Sequence, residues 1–316
     1  MTNSLRWSAI AAADTPRWAE LSDLLAVADG TEEFYSAEDL AEELAEPGFD
    51  PERDSWAVWD GALLVGYGQL RIGAELAENR FAQAYLDGGV HTGYRGRGIG
   101  VRLMDLMEAR ARELAADRHP GAPLRLRVPG RPGEDPVRPL VERRGYRVAR
   151  YFTDMHRDLP GAPLAPVDPG VTMYQPQWAE PLRSAHNAAF AGHWGSTPQS
   201  AAGWRDRLAS RTFRPATSAL WLDGNDVLAY ALTYQWVDGE LYFGQIGTRP
   251  EARGRGLARA CITAALQRAV DLSTFDSADL SVDSANPTGA GALYESVGFT
   301  AVRTMAIYLR DEAPPA

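Results

Sequence analysis

Apolar positions along the chain fall into one order of patterns, and that order occurs twice. Val101, Leu103, Met104, Leu106 and Met107 recur at helical spacing, as do Leu257, Ala260, Ile262, Ala265 and Leu266. Each set predicts a helix with one buried face. Ahead of each stands a pair of alternating segments joined at Asp-Gly. The first pair is residues 55–59 and 62–70 around Asp60-Gly61, the second residues 218–222 and 227–234 around Asp223-Gly224. Asp-Gly between alternating apolar residues predicts a hairpin. Behind each helix come a strand (124–128; 278–282), a short helix and a Gly-aromatic pair, Gly145-Tyr146 or Gly298-Phe299. Final strands are predicted at 151–157 and 305–310.

Repetition of the whole order predicts two copies of one α/β fold, each a twisted mixed β-sheet flanked by helices. Residues 159–170, with four prolines and two glycines, read as the link between them. The expected domains are therefore 1–160 and 169–316. A chain of 316 residues is long enough for two cores of this size.

Between strand and helix each copy carries an Arg-Gly string. The first is Tyr94-Arg95-Gly96-Arg97-Gly98-Ile99-Gly100, the second Ala252-Arg253-Gly254-Arg255-Gly256-Leu257-Ala258, followed by Arg259. Glycines let the backbone turn where bulkier residues cannot and let it approach a ligand closely. The next helix aims its first N–H groups at the same point, which suits a pyrophosphate. The arginines add charge at any physiological pH. The spacing is not Gly-x-Gly-x-x-Gly, and no lysine occurs anywhere in the chain, so neither a dinucleotide fingerprint nor a P-loop fits.

These strings, their flanking strands and the downstream Gly-aromatic pairs resemble the GNAT superfamily of acyl-CoA-dependent N-acyltransferases, once per half. The resemblance implies acetyl-CoA as co-substrate. It implies that the fourth strand of each copy ends at a bulge and that Arg253 to Arg259 wrap the CoA pyrophosphate. Ile246, Gly247 and Thr248 would present backbone groups to the pantetheine and the acetyl carbonyl. The first-half equivalents would be Gly89, Val90 and His91, with Arg95, Gly96, Arg97, Gly98, Ile99 and Gly100. At the level of architecture the tandem arrangement resembles mycothiol synthase and its relatives. Residues 189–198 do not reproduce that enzyme's segment, so no substrate is implied.

The halves are not equally equipped. The second holds Asn286 and Tyr294 ahead of Gly298-Phe299, which resembles the superfamily's second hallmark. Asn286 would contact the CoA arm, and Tyr294 would protonate the leaving thiolate. Aligned on the Gly-aromatic pair, the first half has Gly133 and Val141 at those places. The second half is expected to be catalytic and the first a degenerate copy. Glu240, opening the strand that leads to Thr248, is a candidate base, and an exposed hairpin residue on the blander reading.

Composition narrows the partners. A net charge of -10 and a pI near 5.1 disfavour a nucleic-acid binder. One cysteine, Cys261, allows no intramolecular disulfide, and the five histidines lack metal-ligand spacing. No run of apolar residues approaches a membrane span and no signal peptide is evident, so a cytoplasmic monomer or homodimer without metal is expected. Helices bordering the acceptor would be acidic in the first half (Glu32, Glu33, Glu38, Asp39, Glu42, Glu43, Glu46). In the second they hold His186, His193, Trp194 and Trp204, then Arg205, Arg207, Arg211 and Arg214. That composition suits an acceptor that is aromatic or anionic. The expected reaction is acetyl transfer to a small-molecule amine by direct attack in a ternary complex. The alternatives are a non-catalytic acyl-CoA-binding or regulatory protein and a protein or peptide N-acetyltransferase.

Overall fold

A computed structural model of the chain describes residues 5–31, 34–77, 80–133, 135–194, 196–285 and 289–314. Contacts gather them into two compact units, 1–150 with 305–316, and 151–304.

The first unit runs β1 (Arg6–Ser8), α1 (Thr15–Asp29), α2 (Ala37–Leu44), α3 (Pro51–Asp54), β2 (Ser55–Asp60), β3 (Leu63–Ile72), β4 (Ala82–Val90), α4 (Ile99–Arg118), β5 (Leu124–Gly130) and α5 (Arg138–Arg143). β6 (Arg147–Asp158) then carries the chain into the second unit. There follow β7 (Val171–Met173), α6 (Ala179–Phe190), α7 (Ala201–Ala209), β8 (Ala219–Asp223), β9 (Asp226–Tyr234), β10 (Glu240–Thr248), α8 (Leu257–Leu272), β11 (Ser277–Asp283), α9 (Ala290–Glu295) and β12 (Thr300–Glu312).

The sheet of the first unit has the order β1-β2-β3-β4-β5-β12, and that of the second β7-β8-β9-β10-β11-β6. In both, only the fourth and fifth strands run parallel. The sixth strand of each sheet is exchanged. Residues 306–312 of β12 pair with β5, and residues 152–158 of β6 pair with β11. This corrects the linear division at 160–168. The two exchanged strands are 12 and 13 residues long, far more than the usual ~5–6, so each passes out of one unit and into the other. The proline-rich stretch lies wholly inside the second unit, where Leu164 packs on its core.

Each sheet buries two faces. In the first unit α4 covers one face with Ile99, Leu103, Met104 and Met107, and α1 and α2 cover the other with Trp18, Leu21, Leu25 and Leu40. In the second unit α8 covers one face with Leu257, Ile262, Ala265 and Leu266. Leu182, Ala185 and Trp204 of α6 and α7 cover the other. Fully burying a side chain such as Leu182 contributes about 1.5–3 kcal/mol. The helix expected after the first Arg-Gly string forms, but Val101 is 46% exposed and not on its buried face. That face begins two residues earlier, at Ile99.

Candidate active site

The fourth and fifth strands of each sheet start as a parallel pair and then part. In the second unit β10 and β11 bond from Glu240–Ser277 to Tyr242–Asp279 only. Beyond that point β10 stays with β9 and β11 stays with β6, so a wedge opens between them. In the first unit β4 and β5 part after Tyr85–Arg127. A wedge between strands exposes backbone N–H and C=O groups that no neighbouring strand satisfies, which is what an extended ligand needs.

The two wedges differ at the apex. β10 is bulged between Phe243 and Gln245, whereas β4 pairs with β3 in unbroken register. The bulge therefore falls at Gly244, not at the strand end near Ile246–Thr248, and the first copy has none. Residues 246–248 remain regularly paired with 231–229. Two tyrosines of β9 account for the glycines here. A Cβ on Gly244 would lie 2.7 Å from the Tyr234 ring, and one on Gly247 would lie 2.6 Å from the Tyr230 ring. Tyr234 also donates to Gln245 Oε1 at 2.6 Å across the bulge.

At the open end of each wedge the Arg-Gly string forms the same turn. Gly254 and Gly256 have φ of 75° and 76°; Gly96 and Gly98 have 75° and 83°. These values are left-handed, and any other residue there is strained. α8 begins directly after Gly256 with no side-chain cap, and α4 after Gly98 likewise. The first-turn amides of α8, at Leu257, Ala258 and Arg259, have no intrahelical acceptor. Thr248 and Val90 each end their strands just before a short turn, so Val90 is the partner of Thr248, and His91 that of Arg249. This moves the equivalence expected from sequence by one residue. His91 Nδ1 accepts from Gly93 N at 3.1 Å.

The arginines differ in their partners. Arg253 donates to the Ala189 carbonyl at 3.0 Å, and Arg255 and Arg259 are exposed. Arg95 instead donates to both carboxylate oxygens of Asp29, at 2.8 and 2.6 Å. Arg97 donates to the Gly93 carbonyl and lies over the Tyr94 ring. Leu25 of α1 stands so close to Gly89 that a Cβ there would overlap it.

Tyr294 lies on α9 and is 8% exposed. Burial pushes its phenol up to about 12, so at neutral pH it keeps its proton. Val141 on α5 is its counterpart. Phe299 N donates to the Tyr294 carbonyl and Tyr146 N to the Val141 carbonyl, both at 3.1 Å. The alignment of Val141 with Tyr294 therefore holds in three dimensions. Asn286 lies outside the described residues, as do Glu32 and Glu33. Glu240 is half-buried where β10 and β11 are still paired, on the closed side of the bulge. Cys261 is buried on α8, and burial raises its thiol above the usual range.

Sequence reasoning placed His186 and Arg207 beside the acceptor but missed Tyr230, Tyr234 and Trp236, which they meet next to the bulge. His186 Nδ1 is 2.7 Å from the Tyr230 hydroxyl, and its ring stacks on Phe190. Burial, with Arg207 nearby, lowers its pKa to about 4, so the ring is neutral. Burial raises Tyr230 well above its ordinary value, with Tyr234, Arg207 and Tyr294 all close enough to act on it. Trp236 stacks on Tyr234 at 5.3 Å. The sequence shows the residue types, but only folding reveals that they converge on β9. Among the described residues no cluster suits a metal ion, and no helix is long and apolar enough to cross a membrane.

An uncapped helix behind left-handed glycines, set at the open end of a strand wedge, suits an extended ligand that ends in a pyrophosphate. The chain belongs to the acetyltransferase (GNAT) family, whose sequence pattern matches residues 18–120 and 179–299. It is an acetyl-CoA-dependent N-acetyltransferase with a tandem arrangement of the family fold. It is 29% identical to the mycothiol acetyltransferase of Streptomyces coelicolor over 79% of this chain and 77% of that protein. With the mycothiol acetyltransferase of Geodermatophilus obscurus it shares 33% identity over 76% of each chain. The fold matches a GCN5-related N-acetyltransferase from Sphaerobacter thermophilus, with a TM-score of 0.77 and 22% identity over 99% of this chain and 97% of that one. It also matches a tandem GNAT protein from the clavulanic acid biosynthesis pathway, with a TM-score of 0.73 and 20% identity over 99% and 100%.

Proposed function

We propose that residues 151–304 carry out acetyl transfer to the amine of a small molecule and that the first unit is a degenerate copy. The observation that carries this reading is the pair Tyr294 and Val141, which occupy the same helix-end geometry with and without a proton donor. The bulge at Gly244 and the bond of Arg253 to a neutral carbonyl add to it.

In this reading the Arg253–Arg259 turn and the first amides of α8 hold the pyrophosphate, with Asn286 on the pantetheine arm. The opened edge of β10, from the bulge through Ile246, Gly247 and Thr248, offers backbone groups to the arm and to the carbonyl oxygen. A neutral amine attacks the carbonyl carbon in the ternary complex. The C–N bond forms, the C–S bond breaks, and the departing sulfur takes the Tyr294 proton. The extra proton of the amine leaves through water. Glu240 is its assigned acceptor, and its place four residues before the bulge requires a water relay. A small acceptor accords with the small-molecule enzymes named among the relatives.

Calorimetric titration with acetyl-CoA, followed by thiol release with a panel of amines and peptides, tests the reading. One acetyl-CoA site and turnover with small amines are expected. Binding without turnover on any acceptor would favour a regulatory protein, and turnover on peptides alone a protein acetyltransferase.

A further inference from the structure

Arg207 stands in the last turn of α7, among the groups that face the bulge. Its Nε is buried without a hydrogen-bond partner, and no carboxylate pairs with it among the described residues. Its neighbours are the Tyr234 and Tyr230 hydroxyls and the His186 ring, each of which feels its charge. None of these supplies a counter-charge, because burial keeps both phenols protonated and the imidazole neutral. Tyr234 bonds across the bulge to Gln245, so the guanidinium is one side chain away from the apex of the wedge.

Among the described residues, no neighbouring group forms an ion pair with Arg207 either. Arg214 spends its donors on neutral acceptors, Gln235 Oε1 at 3.0 Å and the carbonyls of Arg211 and Phe213 at 2.7 and 3.2 Å. Asp238 acts on Arg214. A half-buried cation left without an anion costs stability, and natural cores seldom tolerate it without a use. Its position at the C-terminal end of α7 offsets a part of that cost only. Beside it Trp236, 39% exposed, presents a ring stacked on Tyr234 and set edge-on to Tyr242.

We propose that the acceptor is an amine that also carries a carboxylate, that Arg207 binds that carboxylate, and that Trp236 flanks the body of the molecule. The inference rests on the second unit being the one that transfers. A guanidinium and a carboxylate match in planar geometry. The same charge repels a bare ammonium ion, so an amine without its own anion is disfavoured, and the amine that does bind loses its proton more readily.

The test uses the full chain saturated with CoA. N-acetylated amino acids with aliphatic, aromatic and polar side chains are titrated calorimetrically, each beside the N-acetylamine that lacks its carboxylate. At least one acid is expected to bind about tenfold or more tightly than its partner. Arg207→Met should erase that difference and Arg207→Lys should keep part of it. If no acid in the panel binds more tightly than its partner, the inference is overturned. So is a preference that survives Arg207→Met. Should Arg207→Met not fold, the wild-type pairs and Arg207→Lys still decide. Titration of the wild type with acetyl-CoA separates the two failures: no binding there would remove the transferase reading itself, whereas normal binding confines the failure to Arg207.

Discussion

Asp29 grips Arg95 through two hydrogen bonds, 2.8 and 2.6 Å long, and so cancels the first charge of the Arg-Gly string in the first unit. Arg253, at the same place in the second unit, meets a carbonyl and, among the described residues, no carboxylate. The two turns are otherwise alike in backbone, so electrostatics and the closeness of Leu25 to Gly89 separate them. One acetyl-CoA per chain is the expected stoichiometry by calorimetry. Gly256→Ala places a side chain at a φ of 76°, a strain of about 1–2 kcal/mol that distorts the turn, and should weaken binding about tenfold or more. Gly98→Ala carries the same strain and should leave binding intact. Two sites in the wild type would show that the Asp29 pair does not close the first turn.

Removing the Tyr294 hydroxyl separates chemistry from binding. Tyr294→Phe keeps the ring that meets Phe299 edge-on, with centroids 6.4 Å apart, and removes only the proton donor. Turnover should fall about 10²- to 10⁴-fold while the Kd for acetyl-CoA stays within a factor of about two. With its pKa near 12, Tyr294 stays protonated through pH 10, so no alkaline loss of kcat below that pH is expected from this group. An unchanged kcat in the variant would remove Tyr294 from the reaction.

Local order was legible in the sequence because it is written in short-range signals. The Asp-Gly hairpins, the alternation of 227–234 and the left-handed glycines each determine their own backbone within a few residues. The difference between the halves at this position was equally plain, because Val141 and Tyr294 stand at one distance from a Gly-aromatic pair. What stayed hidden depends on long-range partners. Residues 152–158 and 306–312 alternate in the same way, and nothing in the pattern tells which sheet each will join. The bulge at Gly244 follows from where the Tyr234 ring lies. Arg207 reads as one of several arginines until folding surrounds it with neutral groups.

His186 should make the protein sensitive to mild acid. Its pKa falls from 6.5 in the unfolded chain to about 4 in the folded one, because burial and Arg207 oppose its charge. A depressed histidine binds its proton more readily when unfolded. Its contribution is therefore complete above pH 6.5 and is lost as pH falls through 4, on the order of 3 kcal/mol in all. His156 acts in the opposite sense. Burial works against its charge, but Asp279 at 2.8 Å prevails and raises its pKa, so it favours the folded state at lower pH. Comparison with His186→Phe isolates the first effect. Urea unfolding between pH 7 and 4.5 should show a shallower loss of stability in the variant, and parallel curves would mean that His186 is protonated in the folded state.

Gly298 and Gly145 close equivalent helices with φ of 90° and 83°, yet they should not tolerate alanine equally. A Cβ at Gly145 would have its nearest neighbour, Arg310 Cδ, at 3.8 Å, which is ordinary contact. A Cβ at Gly298 would overlap Arg157 Nη1, which donates to the Val297 carbonyl at 2.8 Å and is itself buried. Gly145→Ala therefore meets backbone strain alone, about 1–2 kcal/mol. Gly298→Ala meets that strain and must also displace a buried guanidinium that ties down the end of α9, so it should cost at least ~3 kcal/mol in urea unfolding. Because α9 carries Tyr294, the second variant should also lose turnover out of proportion to its loss of acetyl-CoA affinity. Equal costs for the two alanines would mean that Arg157 moves aside freely and does not hold Tyr294 in place.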